Sequence, residues 1–153
     1  LGDVYKRQVF ESGAILIYLA ERSGKFYDQE NKINIDQWLM AQMSLVGPFI
    51  GQYHYFYKFN KGLSNVGEKR YFEITKHIYE VLEDHLSKNK YLAGENYSIA
   101  DIATWPWISR YEFQQMDLNN YPRLKDWYMR IALRPAVEKG YAVPQDLPVP
   151  LPE

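Results

Sequence analysis

Four places in the chain carry residue types that could do chemistry. Phe10-Glu11-Ser12-Gly13 sets a carboxylate beside a hydroxyl at the start of an apolar-periodic stretch. Glu11 could pair with an ammonium while Ser12 Oγ and first-turn N–H groups take a carboxylate, so one helix start could hold a zwitterionic ligand. On residue types alone, a plain N-terminal cap is the commoner use of such a pair. Tyr53-His54-Tyr55-Phe56-Tyr57 could line an apolar substrate cleft, the hydroxyls of Tyr53, Tyr55 and Tyr57 and the His54 ring orienting what binds. Packing in a core or an interface is the alternative for such a block. Arg70, next to Tyr71, is either a solvated charge or a bidentate grip on a carboxylate. Ser98 and Asp101 stand three apart ahead of an apolar run, the spacing of a capping box. Ser98 Oγ would take the Asp101 N–H, and the Asp101 carboxylate would reach back to the Ser98 N–H. That role accounts for Asp101 without catalysis, and losing the cap would cost about 0.5–2 kcal/mol.

Composition removes several function classes. The 153 residues suffice for one domain with a core, and 46% are hydrophobic. A net charge of -1, with Lys and Arg scattered, argues against a general nucleic-acid binder and against attraction to anionic lipid. No run of about 18 apolar residues is present to span a membrane, and residues 1–8 have no signal-peptide character. Cysteine is absent, which rules out thiolate nucleophiles and disulfides within these residues. No two of His54, His77 and His85 have metal-ligand spacing, so no metal is expected. No Ser/His/Asp set or phosphate loop rises above background.

The elements that must position these residues read as helices throughout. Glu11 to Arg22 is a short helix with Ala14, Ile15, Tyr18 and Leu19 on one stripe. Asn31 to Phe59 is a long one, with Gly47-Pro48 predicting a kink. A second long helix runs from about Val66 to Leu86, with Tyr71, Ile74, Ile78, Val81, Leu82 and Leu86 inward. The helix opened by Ser98 is apolar nearly all round and therefore buried, bent by Pro106 and closed near Met116 to Leu118. Pro122 opens the next helix, with Leu124, Trp127, Tyr128 and Ile131 as its stripe. Pro135 restarts the chain for a last short helix, and residues 144–153 form a Pro-rich tail, extended or disordered. Residues 1–8 do not lead naturally into the first helix, so they are set aside as a non-native or misassembled leader. The fold class is all-α.

With these residues in view, the chain resembles the cytosolic glutathione transferases, specifically their bacterial nu-class, disulfide-bond-reductase branch. The stretches that carry the resemblance are Phe10 to Glu21, Gln37-Trp38-Leu39, Gly47-Pro48 with Gly51-Gln52, Gly94 to Trp107, and Arg134-Pro135-Ala136. It spans about residues 9–143. The resemblance implies a glutathione-transferase C-terminal helical bundle over residues 31–143. Before it, residues 9–26 would be the last helix of a truncated thioredoxin-like domain. It implies that Glu11 and Ser12 grip the γ-glutamyl end of glutathione and that Arg70 reaches glutathione from the helical domain. Tyr53, His54, Tyr55 and Tyr57 would belong to the cleft wall, with His54-Tyr55 where the branch often has two histidines. Glutathione would be the co-substrate, its thiolate attacking a disulfide or an electrophilic small molecule in a cytoplasmic homodimer. The thiolate-stabilising Thr/Asn element has no counterpart here, so this chain alone is expected to be inactive. The alternative is a non-catalytic glutathione-transferase-like interaction or regulatory module.

Overall fold

The structure, a computed structural model, describes residues 8–152. Residues 1–7, which hold nearly all of the expected leader, and Glu153 lie outside the described residues. Among the described residues, every regular element of more than an isolated bridge is helical.

Helix α1 (Ser12–Ser23) ends at Gly24, whose left-handed φ of 64° closes the helix with its N–H on the Ala20 carbonyl. The stripe expected to face inward does not. Gly13 and Ala20 are buried, Leu16 and Ile17 pack on the core, and Tyr18 and Leu19 are 42% and 54% exposed. Both faces of this helix are apolar, so periodicity cannot choose between them. Small residues decide: a Cβ on Gly13 would sit 3.3 Å from Met43 Cε, so that face approaches its neighbour most closely.

Residues 32–59 form one continuous helical run in four parts: α2 (Lys32–Ala41), a π turn (Gln42–Val46), α3 (Gly47–Tyr53) and a second π turn (His54–Phe59). Pro48 lies just past the first π turn. The wider turn takes up the missing proline N–H and the ring clash that would otherwise break the helix. Gly47 and Gly51 leave a shallow track in which the Trp107 indole lies, 3.4 and 3.6 Å from where their Cβ atoms would be.

Helix α4 (Asn65–Leu86) begins at Ser64, whose Oγ accepts the Gly67 N–H at 3.1 Å. It runs antiparallel to the preceding run, pairing Tyr71 with Phe49, Phe72 with Tyr53 and His85 with Trp38. Its buried seam is Thr75, Tyr79, Leu82 and Leu86. Val81, expected inward, is 45% exposed because it lies beside that seam, where bulky Tyr79 and Leu82 already fill the space.

Helix α5 (Ile99–Ile108) is the buried post, and it is shorter than expected. After Pro106 it stops at Ile108, giving way to 3₁₀ turns at Tyr111–Gln114 and Leu118–Asn120. Proline removes a helical bond just where the helix ends, and side chains take over its last carbonyls. Gln114 Nε2 donates to the Trp107 carbonyl at 2.6 Å and Ser109 Oγ to that of Pro106 at 2.9 Å.

Helix α6 (Pro122–Ala132) is capped from a distance. The Glu83 carboxylate of α4 accepts the N–H groups of Arg123 at 3.1 Å and Leu124 at 2.8 Å. Helix α7 (Pro135–Tyr141) comes next, and the tail is extended. Tyr128 anchors that tail by donating its hydroxyl to the Pro150 carbonyl at 2.6 Å, and Val149 packs on the core.

The capping box at Ser98 forms, and Asp101 does more than close it. Fully buried, its Oδ2 accepts the Ser98 N–H at 2.9 Å and the Ser98 hydroxyl at 3.1 Å. Its Oδ1 accepts the Leu92 N–H at 2.9 Å and the Trp127 Nε1–H at 2.8 Å. Burial pushes the carboxyl above its ordinary value, while the four donors pull the other way. Asp101 therefore joins the turn before α5, α5 itself and α6. A cap alone understates its weight: Asp101→Ala should cost about 2–5 kcal/mol by urea unfolding, since two buried N–H donors are stranded with the lost cap. A cost near zero would show those bonds to be dispensable.

Candidate functional site

Glu11 and Ser12 sit where α1 begins, and neither is used up by the helix. Glu11 holds the N-cap position with φ 67°, a left-handed value uncommon for a residue with a side chain, yet makes no side-chain cap bond. Ser12 occupies the first helical position, and its Oγ faces Met43 Sδ at 3.6 Å. Both side chains are exposed. The carboxylate, the hydroxyl and the free first-turn N–H groups together can take one cation and one anion of a small ligand.

Arg70 is exposed on α4, with no hydrogen bond, ion pair or ring contact among the described residues. Helix α4 packs chiefly on α3 and α6 whereas α1 packs on α5, so no described contact joins Arg70 to Glu11 or Ser12.

The aromatic block fans out instead of forming one wall. Consecutive residues on a helical turn point in different directions, and the second π turn does not change that. Tyr53 is buried toward α4, donating its hydroxyl to Gln115 Oε1 at 2.6 Å and stacking on Tyr57 at 5.4 Å. With Asn65, Glu68, Lys69, Phe72 and Gln115 it lines an open cavity of about 360 Å³. His54 points the other way, its ring 6.3 Å from Trp107 and 6.4 Å from Phe113. Tyr55 is 46% exposed and meets Phe56 edge-on at 5.2 Å.

Of this block, His54 is the side chain whose ordinary titration range lies near neutral pH. It is buried, its Nε2 has no hydrogen-bond partner, and burial, reinforced by the Arg110 charge, pushes it below the ordinary histidine value. Met43 and Trp107 are neighbours of the site that sequence reasoning does not single out. The four-residue spacing of Gly47 and Gly51 is the available signal, since paired small residues imply a bulky partner. Among the described residues, no three His, Asp or Glu side chains converge to hold a metal, and no helix is long and apolar enough to cross a membrane.

His54 lends itself to a pH test. Because the fold disfavours its protonation, its contribution to stability is full above the unfolded value near 6.5 and is lost as pH falls below it. Between pH 7 and 5 the wild type should lose stability with a His54-dependent slope of at most about 1.4 kcal/mol per pH unit. His54→Leu should flatten that part of the urea-unfolding profile, and an unchanged slope would assign it elsewhere.

Comparison with known proteins places this arrangement. The model of the glutathione S-transferase C-terminal domain matches residues 48–135. The chain is 44% identical over 130 residues to the disulfide-bond oxidoreductase YfcG of Escherichia coli, covering 84% of the chain and 60% of that protein. It is 32% identical over 146 residues to the disulfide-bond oxidoreductase YghU of the same organism, covering 89% and 50%. A glutathione transferase structure from Burkholderia graminis, with two glutathione molecules bound per subunit, superposes with a TM-score of 0.81 at 35% identity. That match covers 89% of the chain and 60% of that protein. The chain thus spans about half to three-fifths of the length of these relatives. It belongs to the glutathione S-transferase family and contains the family's C-terminal helical domain.

Proposed function

We propose that the chain is the helical part of a glutathione-dependent transferase and disulfide-bond reductase. The observation that carries this is the exposed Glu11-Ser12 pair at the start of α1, where Glu11 makes no side-chain cap bond and Ser12 Oγ makes a long 3.6 Å contact with Met43 Sδ. Two of its relatives are named disulfide-bond oxidoreductases, and solved relatives hold glutathione or glutathione disulfide. The Glu11 carboxylate pairs with the α-ammonium of the γ-glutamyl group, and Ser12 with the first-turn N–H groups takes its carboxylate. Arg70 supplies a further cation for a glutathione carboxylate. Of Tyr53, His54, Tyr55 and Tyr57, only a subset meets any one second substrate, because they face different ways.

The chemistry needs no cysteine from the protein. Glutathione thiolate attacks one sulfur of a disulfide, a new S–S bond forms, and the other sulfur leaves as thiolate and takes a proton from solvent. With an electrophilic small molecule, the same thiolate forms a C–S bond. Holding the thiol deprotonated falls to a thioredoxin-like half of a longer protein, of which residues 9–26 are the last helix. The outward apolar side of α1, with Leu19 54% exposed, together with Phe10 just before the helix, 75% exposed, is the surface that such a half would cover. The longer protein works as a cytoplasmic homodimer.

Two measurements test this reading. The 153-residue chain should pass through immobilised glutathione unretained at micromolar concentration. The longer protein carrying the upstream coding sequence should reduce small disulfides with glutathione, and there Glu11→Gln and Ser12→Ala should each raise the KM for glutathione about tenfold while changing kcat little. An inactive longer protein would favour the non-catalytic module.

A further inference from the structure

All the sulfur in this chain is methionine sulfur: there are four methionines and no cysteine. They differ in how reachable they are and in what their sulfurs touch. Met116 takes the Tyr121 hydroxyl at 4.0 Å but is only 7% exposed. Met129 packs on the core from α6. Met40 is half-exposed on α2, and its sulfur takes no hydrogen bond among the described residues. Met43 is half-buried in the first π turn, and it alone of the four touches the candidate ligand grip. The Ser12 hydroxyl donates to its Sδ at 3.6 Å.

Gly13 shapes the space around that sulfur. A Cβ there would lie 3.4 Å from Met43 Sδ, so the absent side chain leaves a gap between the backbone of α1 and the sulfur. A thioether is a weak acceptor, and so long a contact releases the Ser12 hydroxyl readily to a ligand carboxylate. Oxidation of the thioether changes that competition, because a sulfoxide makes the same side chain polar and its oxygen accepts strongly. Beside Ser12, that oxygen holds the hydroxyl and leaves the ligand carboxylate without it.

We propose that Met43 is a reversible oxidation site that regulates the Glu11-Ser12 grip, with a hydroperoxide as oxidant. The sulfur lone pair attacks one peroxide oxygen, and an S–O bond forms as the O–O bond breaks. The proton of the transferred oxygen passes to the departing oxygen, which leaves as water from hydrogen peroxide or as an alcohol from an organic one. Sulfur gives up two electrons and the peroxide takes them. A methionine sulfoxide reductase, supplied with thiol, returns the thioether. The modification rests on the surroundings of Met43, and its effect rests on the role of Glu11 and Ser12 in holding glutathione.

The two are tested apart. In the 153-residue chain carrying Met40→Leu, which removes the more exposed competitor, hydrogen peroxide should add one oxygen to Met43 before Met116 or Met129, read by peptide mass mapping. The Ser12 and Gly13 amide resonances should shift with it, and the two stereospecific sulfoxide reductases together should reverse both changes. In the longer protein carrying the upstream coding sequence, peroxide should raise the KM for glutathione about tenfold while changing kcat little. Met43→Leu and Ser12→Ala, each compared with itself before and after peroxide, should show no such rise, since one lacks the sulfur and the other the hydroxyl it captures. Met43 left intact while Met129 reacts, or oxidised with the Ser12 and Gly13 resonances unmoved, overturns the proposal. So does an unchanged KM in an active longer protein with Met43 oxidised, or a rise that persists in Met43→Leu. A longer protein that never uses glutathione overturns the role of the Glu11-Ser12 pair and with it the regulation, while the mapped oxidation stands.

Discussion

A carboxylate with no exposure to water has to be surrounded by donors, and Asp101 finds four of them in three different parts of the chain. The Trp127 indole reaches it from α6, the Leu92 N–H from the turn before α5, and Ser98 from the N-terminus of α5 itself. Each donor is satisfied only when the others are in place, because the carboxylate is tolerated in the core only with its full set. The bundle is thereby specified at one point. Leu124, Trp127, Tyr128 and Ile131 then bury completely on the same side of α6, so hydrophobic packing adopts a register that polar bonding selects.

A second constraint runs along the helices from Lys32 to Phe59. The chain must cross Pro48 without breaking and bring Gly47 and Gly51 under the Trp107 indole. A π turn placed just ahead of the proline serves both needs. It also carries Met43, the residue against which Ser12 and Gly13 of α1 rest. The start of α1 is thus referenced to the same irregular turn that accommodates the proline, and the candidate ligand grip inherits its position from it.

Much of this is legible from residue types. Helix positions, the all-α class and the Ser98–Asp101 box come from apolar spacing and cap chemistry, which act over three or four residues. The illegible part depends on contacts distant in sequence. Nothing near Asp101 announces the Trp127 indole 26 residues on, and nothing near Pro122 announces Glu83. The inward side of α1 escapes a periodicity count because both its faces are apolar and glycine carries no weight in such a count. The aromatic block reads as one surface in sequence because adjacency says nothing about direction within a turn. Apolar spacing alone places the end of α5 too late. The end is set by side chains that take the last carbonyls of the helix, Ser109 that of Pro106 and Gln114 that of Trp107.

The Glu83 cap has a consequence for the order in which the chain can assemble. Pro122 has no N–H to offer, and Tyr121, at the cap position of α6, supplies no side-chain bond. The first free N–H groups of α6 are instead closed by a carboxylate about 40 residues earlier. A helix of 11 residues is marginal by itself, so α6 becomes stable only on a template that already contains α4. During synthesis from the N-terminus, α4 emerges first and waits with its carboxylate unused. Arrival of α6 then completes the helix terminus and the Asp101 core in one step. The last third of the domain is therefore coupled to α4 through its own helix terminus, and its backbone protection in hydrogen exchange should follow that of α4.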